Sequence, residues 1–454
     1  MHRTTDRLRL DAVSIYEAGL AGVDPRRVLT RALATTAPPG RVRLLAMGKA
    51  AMPMAAAAVQ HLDRLDIPIV AGVLVTPDAG GTPDPRLVRI VGDHPMPGRR
   101  SEAAARAVAD AVAQTTTKEE VWVLLSGGTT SLIGAPATGI SATEYDLLLR
   151  LLARAGLPIS RLNAVRKRFS RWGAGRLAVE CRAERIRVYA LSDVPGDDLA
   201  DIGSGPCSPD PTTAAGVRGI LEAAGVLADL PPALLQFLDR VERGEVPETP
   251  KPGHPSFDRV AARVIASNRT AVAAAGARAE ALGYRVVLGP DLLQGEAAAA
   301  GAGLLEQTGL TGTAETAWIG GAETTVALGS DHGRGGRCQE LALAAARRLA
   351  EHPNPVAVLA AGTDGRDGPT DAAGAVVTNE TWAGIRAAGA DPGRALARHD
   401  AYPALAAVGA LLRPGLTGTN VMDLIIALAG SPPPASRSER GDPAGETGSR
   451  SPAL

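Results

Sequence analysis

Aromatic residues are scarce in this chain. Four Trp, five Tyr and three Phe make up 3% of its 454 residues. Apolar residues nevertheless reach 45%, so the hydrophobic core must be built mainly from Ala, Val and Leu. Side chains of this size suit closely packed helices and strands that are buried on both faces. At roughly 150 residues per domain, the length indicates two or three domains.

An excess of either charge is also lacking, because 48 Lys and Arg balance 48 Asp and Glu. Without a net field, the chain has no general attraction for nucleic acid or a membrane surface, and we expect neither as a partner. Any anion that it binds must be held by local groups. Long apolar runs are absent too, which excludes a membrane-spanning helix of ~18 or more residues.

Only three cysteines occur, at positions 181, 207 and 338, and no two have the spacing of a metal site or a CxxC pair. This usage argues against a disulfide framework and for a reducing compartment. The basic N-terminus is not followed by the apolar stretch of a secretory signal. We therefore expect a soluble cytoplasmic protein.

Short apolar segments alternate with Ala-rich helical stretches along the chain. Four of them end in Gly- or Asp-rich loops: Val42–Met47, Val121–Leu125, Ile186–Leu191 and Val356–Ala361. Strands that alternate with helices predict βαβ units, hence an α/β fold with a mostly parallel sheet.

A proline-rich stretch divides the chain. Residues 242–257 read ERGEVPETPKPGHPSF, and four prolines exclude a helix or a central strand there. After residue 430, the composition is polar and has no apolar periodicity. We predict an N-terminal domain over 1–245, a C-terminal α/β domain over 258–430 and a disordered tail over 431–454.

The loop SGGTTS, which follows the predicted strand Val121–Leu125, offers hydroxyls and unhindered backbone amides. Backbone amides at the start of a helix can hold phosphate, and ligands of open α/β sheets lie at the carboxyl ends of strands. An ordinary tight turn explains the same composition, and no Walker A motif is present. The candidate phosphate-binding residues are Ser126, Gly127, Gly128, Thr129 and Thr130.

Acidic residues follow two other strands. Asp193 and Asp197 lie in SDVPGDD, and Asp364 and Asp367 lie in GTDGRDG. Carboxylates suit Mg²⁺, which usually takes one or two of them together with substrate phosphates. Asp beside Gly is also ordinary turn chemistry, which remains the alternative.

Two cations and one polar helix face could bind an anionic ligand. Lys49 follows the first strand and can attract phosphate or carboxylate, and Arg337 in GRGGRCQE can form paired hydrogen bonds with either. Asn163, Arg166 and Ser170 have the spacing of one helix face. Solvated surface positions are the alternative for all of them.

A dinucleotide fingerprint is only partly present. Residues 173–178 read GAGRLA, which fits the form GxGxxA, but a polar helical segment precedes them instead of a strand. The structural context for nicotinamide binding is therefore missing.

Together, the motifs resemble the glycerate 2-kinase family with a C-terminal MOFRL domain, whose members have also been called hydroxypyruvate reductases. The matching segments extend from about residue 10 to 428. In chain order they are AMGKAA (46–51), VGDHPMP (91–97), SGGTTSL (126–132), LNAVRKRFS (162–170), LSDVPGDDLADIGSGP (191–206), PETPKPG (247–253), GRGGRCQE (333–340), GTDGRDGPTDAAGA (362–375) and TGTNVMDL (417–424).

The resemblance implies a Rossmann-like N-terminal domain, a smaller C-terminal α/β domain and an active site between them. It also implies ATP, a divalent metal such as Mg²⁺, and phosphorylation of D-glycerate at its 2-hydroxyl. The important lysine and arginine of the family fall on Lys49 and Arg337. Its GGETTV motif appears here as GGAETT (320–325), followed by a longer loop before Gly333, and its glutamate, Glu323, is a candidate substrate- or phosphate-binding residue. The sequence departs from the family at Thr129 and Thr130, at 173–175 and at Cys338.

From these matches we expect Asp193 and Asp364 to face one cleft and to bind metal or orient the hydroxyl, with Asp197 and Asp367 as further metal ligands. A kinase for a related hydroxy acid, a nicotinamide-dependent hydroxypyruvate reductase and a non-catalytic binding protein are the alternatives. The oligomeric state is open, with a homodimer considered.

Overall fold

A computed structural model describes residues 2–310 and 315–430, so the tail predicted over 431–454 lies outside the described residues. The helices are α1 (His2–Gly22), α2 (Pro25–Ala34), α3 (Ala51–Arg64), α4 (Arg99–Ala113), α5 (Thr129–Leu132), α6 (Ala142–Arg154), α7 (Ile159–Phe169), α8 (Arg176–Glu180), α9 (Ala214–Ala223), α10 (Pro232–Glu242), α11 (Asn268–Ala281), α12 (Ala297–Thr308), α13 (Arg337–Leu349), α14 (Thr381–Ala387), α15 (Pro392–Ala397) and α16 (Ala401–Ala406). The strands are β1 (Val42–Met47), β2 (Ile69–Thr76), β3 (Leu87–Val91), β4 (Glu120–Leu125), β5 (Arg185–Leu191), β6 (Val260–Ala266), β7 (Arg285–Leu288), β8 (Leu293–Glu296), β9 (Thr316–Thr325), β10 (Val356–Gly362), β11 (Gly374–Thr378), β12 (Leu411–Leu412) and β13 (Asp423–Ala429).

Six strands form the first sheet, in the order β3-β2-β1-β4-β5-β6. Every pairing in it is parallel, as the alternation of strands and helices predicted. Residues of α2 and α3 cover one face, and residues of α4 and α8 cover the other. Burial on both faces explains why β1 is apolar throughout apart from Arg43. The strand order is that of a Rossmann fold.

The second sheet has the order β12-β11-β10-β13-β9-β7, with β8 also paired to β9. β10 runs antiparallel to both of its neighbours, so the strand predicted at 356–361 does not continue the parallel pattern. The chain returns from β10 to β11 through a loop without a helix. Parallel neighbours need a longer crossover, usually a helix, so this connection produces an antiparallel pair.

Strand pairing does not follow the predicted domain limits. β6 pairs with β5 in the first sheet although it lies beyond the proline-rich stretch. α1 packs against α11, β10 and β13 of the second sheet although it begins the chain. The limits 1–245 and 258–430 would place α1 with the first sheet and β6 with the second. The structure has the reverse: α1 packs on the second sheet and β6 belongs to the first. As limits of folding units, 1–245 and 258–430 stay a prediction.

One hydrophobic core extends from the first sheet to the second. It includes Leu44 and Leu124 of the first sheet and Leu359 and Ile426 of the second. The side chains of α1 and α11 also belong to it, so the two sheets share buried apolar surface. This continuity fixes the strand ends of both sheets relative to one another.

A smaller core lies among α6, α7, α9 and α10. α6 begins with a capping box, in which the Ser141 side chain accepts from Glu144 N and the Glu144 carboxylate accepts from Ser141 N. Among the described residues, no helix is long and apolar enough to cross a membrane.

Candidate functional site

A cleft of about 900 Å³ lies where loops of the two sheets face each other. Lys49 and Asp193 line it from the ends of β1 and β5, and Asp364 and Arg337 line it from the second sheet and α13. The expectation that Asp193 and Asp364 face one cleft is thereby confirmed. A volume of this size is typical of small-molecule sites.

Lys49 and Asp364 join the two halves across the cleft. Lys49 Nζ lies 3.0 Å from Asp364 Oδ2, and the two side chains are 28% and 26% exposed. The other Asp364 oxygen accepts a hydrogen bond from Arg366 N at 3.0 Å. Lys49 is therefore an oriented cation inside the cleft rather than a freely solvated side chain.

Asp193 occupies a crowded position at the end of β5. Asn420 Nδ2 donates to Asp193 Oδ2 at 3.3 Å, and a Cβ at Gly127 would collide with the same carboxylate. Burial raises the pKa of Asp193 to about 6, although nearby Lys49 acts in the opposite direction. Glycine at 127 is thus needed for the Asp193 carboxylate to approach the loop after β4.

Arg337, the first residue of α13, is held by two carboxylates. Its Nε and Nη2 donate to Asp423 at 2.6 and 3.1 Å, and its Nη1 and Nη2 donate to Glu323 at 2.8 and 3.1 Å. Burial raises the pKa of Glu323 to about 7 against the opposing effect of Arg337. Burial also raises the pKa of Asp423, again against the opposing effect of Arg337.

Asp367 fixes the start of α13. Its Oδ1 accepts from Cys338 N at 3.1 Å and its Oδ2 accepts from Gln339 N at 2.8 Å. A Cβ at Gly336 would collide with Asp367, so the backbone reaches the carboxylate only because residue 336 is glycine. These contacts give Asp367 a structural function at the start of α13, beside Arg337.

The four aspartates predicted as metal ligands do not form a cluster. Asp193, Asp364 and Asp367 line the cleft, whereas Asp197 is not among its lining residues. Within 2–310 and 315–430, no three His, Cys, Asp or Glu side chains are placed to hold a metal ion together. The Asp367 oxygens accept from backbone amides, and Asp197 is not among the residues that line the cleft, so the four side chains do not act as one set. Metal binding by any one of them stays a prediction.

The hydroxyls of the predicted phosphate-binding loop face inward. Thr129 is fully buried, and its Oγ1 lies 2.9 Å from Met47 O and 2.7 Å from Ser126 O. Ser126 Oγ accepts from Ala50 N at 3.0 Å, and Thr130 Oγ1 lies 2.9 Å from Ser204 Oγ. These side chains connect the loops after β1, β4 and β5 behind Lys49, and phosphate binding by residues 126–130 stays a prediction.

Asn163 and Arg166 lie on α7 and are not among the residues that line the cleft. Arg166 Nε is buried without a hydrogen-bond partner among the described residues, and burial lowers the pKa of this guanidinium. The structure does not bring these two residues to the cleft, so a substrate contact by them stays a prediction.

Sequence reasoning gave no function to three residues that line the cleft, His94, Asn420 and Asp423. Burial and Lys49 lower the pKa of His94. The motifs VGDHPMP and TGTNVMDL contain all three residues, and both motifs end or begin beside a strand. Their polar residues next to apolar strands were the available signal.

Comparison with known proteins covers nearly the whole chain. A family model described as a domain of unknown function (DUF4147) matches residues 11–239, and the MOFRL family matches residues 316–423. A glycerate 2-kinase of Pyrococcus horikoshii is 35% identical over 86% of this chain and 88% of its own. A D-glycerate 2-kinase of Thermotoga maritima is 36% identical over 93% of this chain and 99% of its own.

A solved structure also matches. The crystal structure of a glycerate kinase from Thermotoga maritima superposes with a TM-score of 0.82 at 34% identity, over 93% of this chain and 100% of that one. Matches of this identity and coverage, in sequence and in structure, show that the chain shares the fold of these kinases over nearly its whole length. The chain therefore belongs to the glycerate kinase family.

Proposed function

We propose that this protein transfers the terminal phosphoryl group of ATP to the 2-hydroxyl of D-glycerate, giving 2-phosphoglycerate and ADP. The observation that carries the proposal is the convergence of Lys49, Asp193, Asp364 and Arg337 in one cleft. Both substrates are anionic, and the chain has no net charge, so local cations must supply the attraction.

Phosphoryl transfer depends on positioning and on neutralisation of charge more than on covalent chemistry by the protein. The Lys49 ammonium, oriented by Asp364, would stabilise negative charge on the transferring group. Asp193 would orient the 2-hydroxyl and accept its proton as oxygen bonds to the γ-phosphorus and the bond to ADP breaks. A carboxylate with a pKa of about 6 is ionised at neutral pH and can fill this role.

The carboxylates of the cleft fit a magnesium ion held mainly by its substrate. Mg²⁺ usually binds one or two protein carboxylates together with phosphate oxygens. Asp364 uses one oxygen toward Lys49 and the other toward Arg366 N, and a carboxylate has further lone pairs. Asp364 would hold Mg²⁺, which when bound neutralises charge on the ATP phosphates.

Hydroxypyruvate reduction is a second candidate, because the order of the first sheet is that of dinucleotide-binding folds. The turn after β1 reads AMGKAA, however, and lacks the GxGxxG that lets a backbone approach a pyrophosphate. Lys49 stands in that turn instead. A fold alone does not decide a reaction, and this residue favours phosphoryl transfer.

The test is an assay of the purified protein with ATP, Mg²⁺ and D-glycerate, followed by phosphorus NMR of the product. We expect a phosphate ester at the 2-position. Formation of the 3-phosphate would contradict the assignment of the acceptor hydroxyl. Oxidation of NADH or NADPH with hydroxypyruvate, without phosphoryl transfer, would replace the proposed function with the reductase.

A further inference from the structure

The two carboxylates leave Arg337 little capacity for a ligand. A guanidinium has five N–H groups. Four of them donate to Asp423 and Glu323. Within the described residues, one N–H on Nη1 remains for a substrate. A carboxylate or phosphate that needs two parallel hydrogen bonds can obtain them only if one protein carboxylate withdraws.

Asp423 and Glu323 differ in their access to the cleft. The Asp423 side chain is 4% exposed, whereas the Glu323 side chain is 34% exposed. The two residues lie on neighbouring strands, where Ala322 of β9 pairs with Asp423 of β13. Glu323 therefore holds the edge of Arg337 that faces the cleft, and Asp423 supports the guanidinium from behind.

We propose that Glu323 is a proton-linked competitor for Arg337, which a substrate oxyanion displaces as Glu323 takes up a proton. This inference rests on the proposed function, since it requires an anionic substrate in the cleft. The ligand class is an oxyanion with two oxygens available, either the carboxylate of the hydroxy acid or a phosphate of ATP. Glu323 is thus a positioning residue that makes substrate affinity depend on pH.

The charge balance supplies the reason for proton uptake. Glu323 faces Arg337 of α13, Asp423 of β13 and Asp193 of the loop after β5. A bound oxyanion would bring a further negative charge to a single cation. Burial has already raised the pKa of Glu323 to about 7, so the acid gains a proton at little cost near neutral pH.

The expected effect follows from the fraction of protein in which Glu323 is protonated. With a pKa of about 7, that fraction falls about tenfold for each pH unit above neutrality, and the apparent KM rises in proportion. Glu323→Gln cannot ionise, so its KM should stay constant. Relative to the wild type, KM of the variant should be about tenfold lower at pH 8 and about equal at pH 6.

The experiment measures KM from pH 6 to 8.5 in two arms, with D-glycerate varied at saturating ATP and Mg²⁺, and then with ATP varied at saturating D-glycerate. The arm whose pH dependence disappears in Glu323→Gln identifies the oxyanion that binds Arg337. Glu184→Gln is the matched control, because Glu184 is an exposed glutamate that does not line the cleft, and it should keep the wild-type profile. A Glu323→Gln variant with the wild-type pH dependence in both arms, or with raised KM at every pH, would overturn the inference.

A second measurement needs no variant. Calorimetric titration of the wild-type protein with D-glycerate, and separately with ATP and Mg²⁺, in buffers of different ionisation enthalpy at pH 8 reports protons taken up on binding. After correction for protonation of the ligand itself, we expect the protein to take up nearly one proton per bound ligand in one of the two titrations. Zero proton uptake in both titrations would contradict the mechanism. A wild-type protein without phosphoryl transfer would overturn the proposed function, whereas an active enzyme with a pH-independent KM overturns only the role of Glu323.

Discussion

At the scale of single residues, the cleft contains charges that are oriented by partners from the other half of the molecule. Lys49 follows a strand of the first sheet, and its partner Asp364 follows a strand of the second. Asp193 of the first sheet is likewise bonded to Asn420, which precedes the last strand of the second. Removing one member of such a pair should affect chemistry more than folding.

Replacement of Lys49 with alanine should lower kcat/KM at least a hundredfold. One preorganised electrostatic contact of this kind contributes ~2.7–4 kcal/mol to the transition state, or 10²–10³ in turnover. Steady-state kinetics provides the measurement. Lys118→Ala is the control, since Lys118 is exposed and does not line the cleft, and it should leave kcat/KM unchanged. Equal kinetics of the two variants would remove Lys49 from the proposed site.

The pH profile should show the ionisation of Asp193. Because burial raises the pKa of this carboxyl to about 6, the proton acceptor is lost as the pH falls through that value. We expect kcat/KM to decrease about tenfold per pH unit below pH 6, as for one essential base. Asp193→Asn should be nearly inactive throughout. A wild-type profile that stays level down to pH 5 would contradict this assignment.

Asp193 should also reduce the stability of the fold at neutral pH. Its pKa in the folded state is raised from 3.8 to about 6, so the protonated form favours folding below pH ~4 and this contribution is lost as the pH rises through 6. Asp193→Asn should therefore have a higher Tm than the wild type at pH 7.5 in the presence of a chelator. The difference should disappear near pH 4. Calorimetry at both pH values tests the sign, and a lower Tm at pH 7.5 would refute it.

At the scale of elements, the start of α13 is held by Asp367. Its two oxygens accept from the amides of Cys338 and Gln339, which are among the unpaired donors at the beginning of any helix. Because Arg337 is the first residue of this helix, these contacts hold the backbone next to Arg337, while Asp423 and Glu323 hold its guanidinium. A loop that looked like a metal site thus serves as a helix cap.

Asp367→Asn should destabilise the protein by ~1–2 kcal/mol, because the NH2 group of the amide would replace one accepting oxygen and face a backbone N–H donor. Asp197→Asn is the control. It makes the same change in the other acidic loop, at a residue that does not line the cleft. Chemical denaturation should show a lower midpoint for the first variant and little change for the second. Equal midpoints would indicate that the cap contributes little to stability.

At the scale of the whole molecule, the second sheet depends on a helix from the opposite end of the chain. α1 packs against α11, β10 and β13, and Tyr16 donates from Oη to Gly362 O at 2.7 Å. Without α1, the shared core would lose the apolar side chains that this helix contributes to it. Residues 258–430 alone would also carry β6, which pairs only within the first sheet among the described strands.

A fragment of residues 258–430 should therefore fail to unfold cooperatively. A matched fragment, in which residues 2–24 are joined by a flexible linker to 268–430, keeps α1 and omits β6, and it should show a cooperative transition. Circular dichroism during heating distinguishes the two. A sharp transition in the first fragment would support 258–430 as an independent domain.

The amino-acid pattern was enough to predict the local elements and most of the residues that line the site. The apolar segments at 42–47, 121–125 and 186–191 are buried parallel strands. They could be predicted because a strand buried on both faces is a continuous run of apolar residues in the sequence. Lys49 and Asp193 were recognisable because ligands of such sheets lie at strand ends. The motifs also identified the family, which the comparisons confirm.

Which of these residues meet, and what each one contacts, depends on the packing of the two sheets and could not be predicted from the pattern. The sequence spacing between Asp193 and Asp364 contains no information on distance, and their meeting depends on a core shared by two sheets. The sequence predicts that the Arg337 guanidinium binds substrate, but most of its N–H groups donate to Glu323 and Asp423. Hydrogen bonds of this kind connect positions far apart in the chain, and a carboxylate after a glycine can equally cap a helix, bind a metal or close a turn until its partners are known.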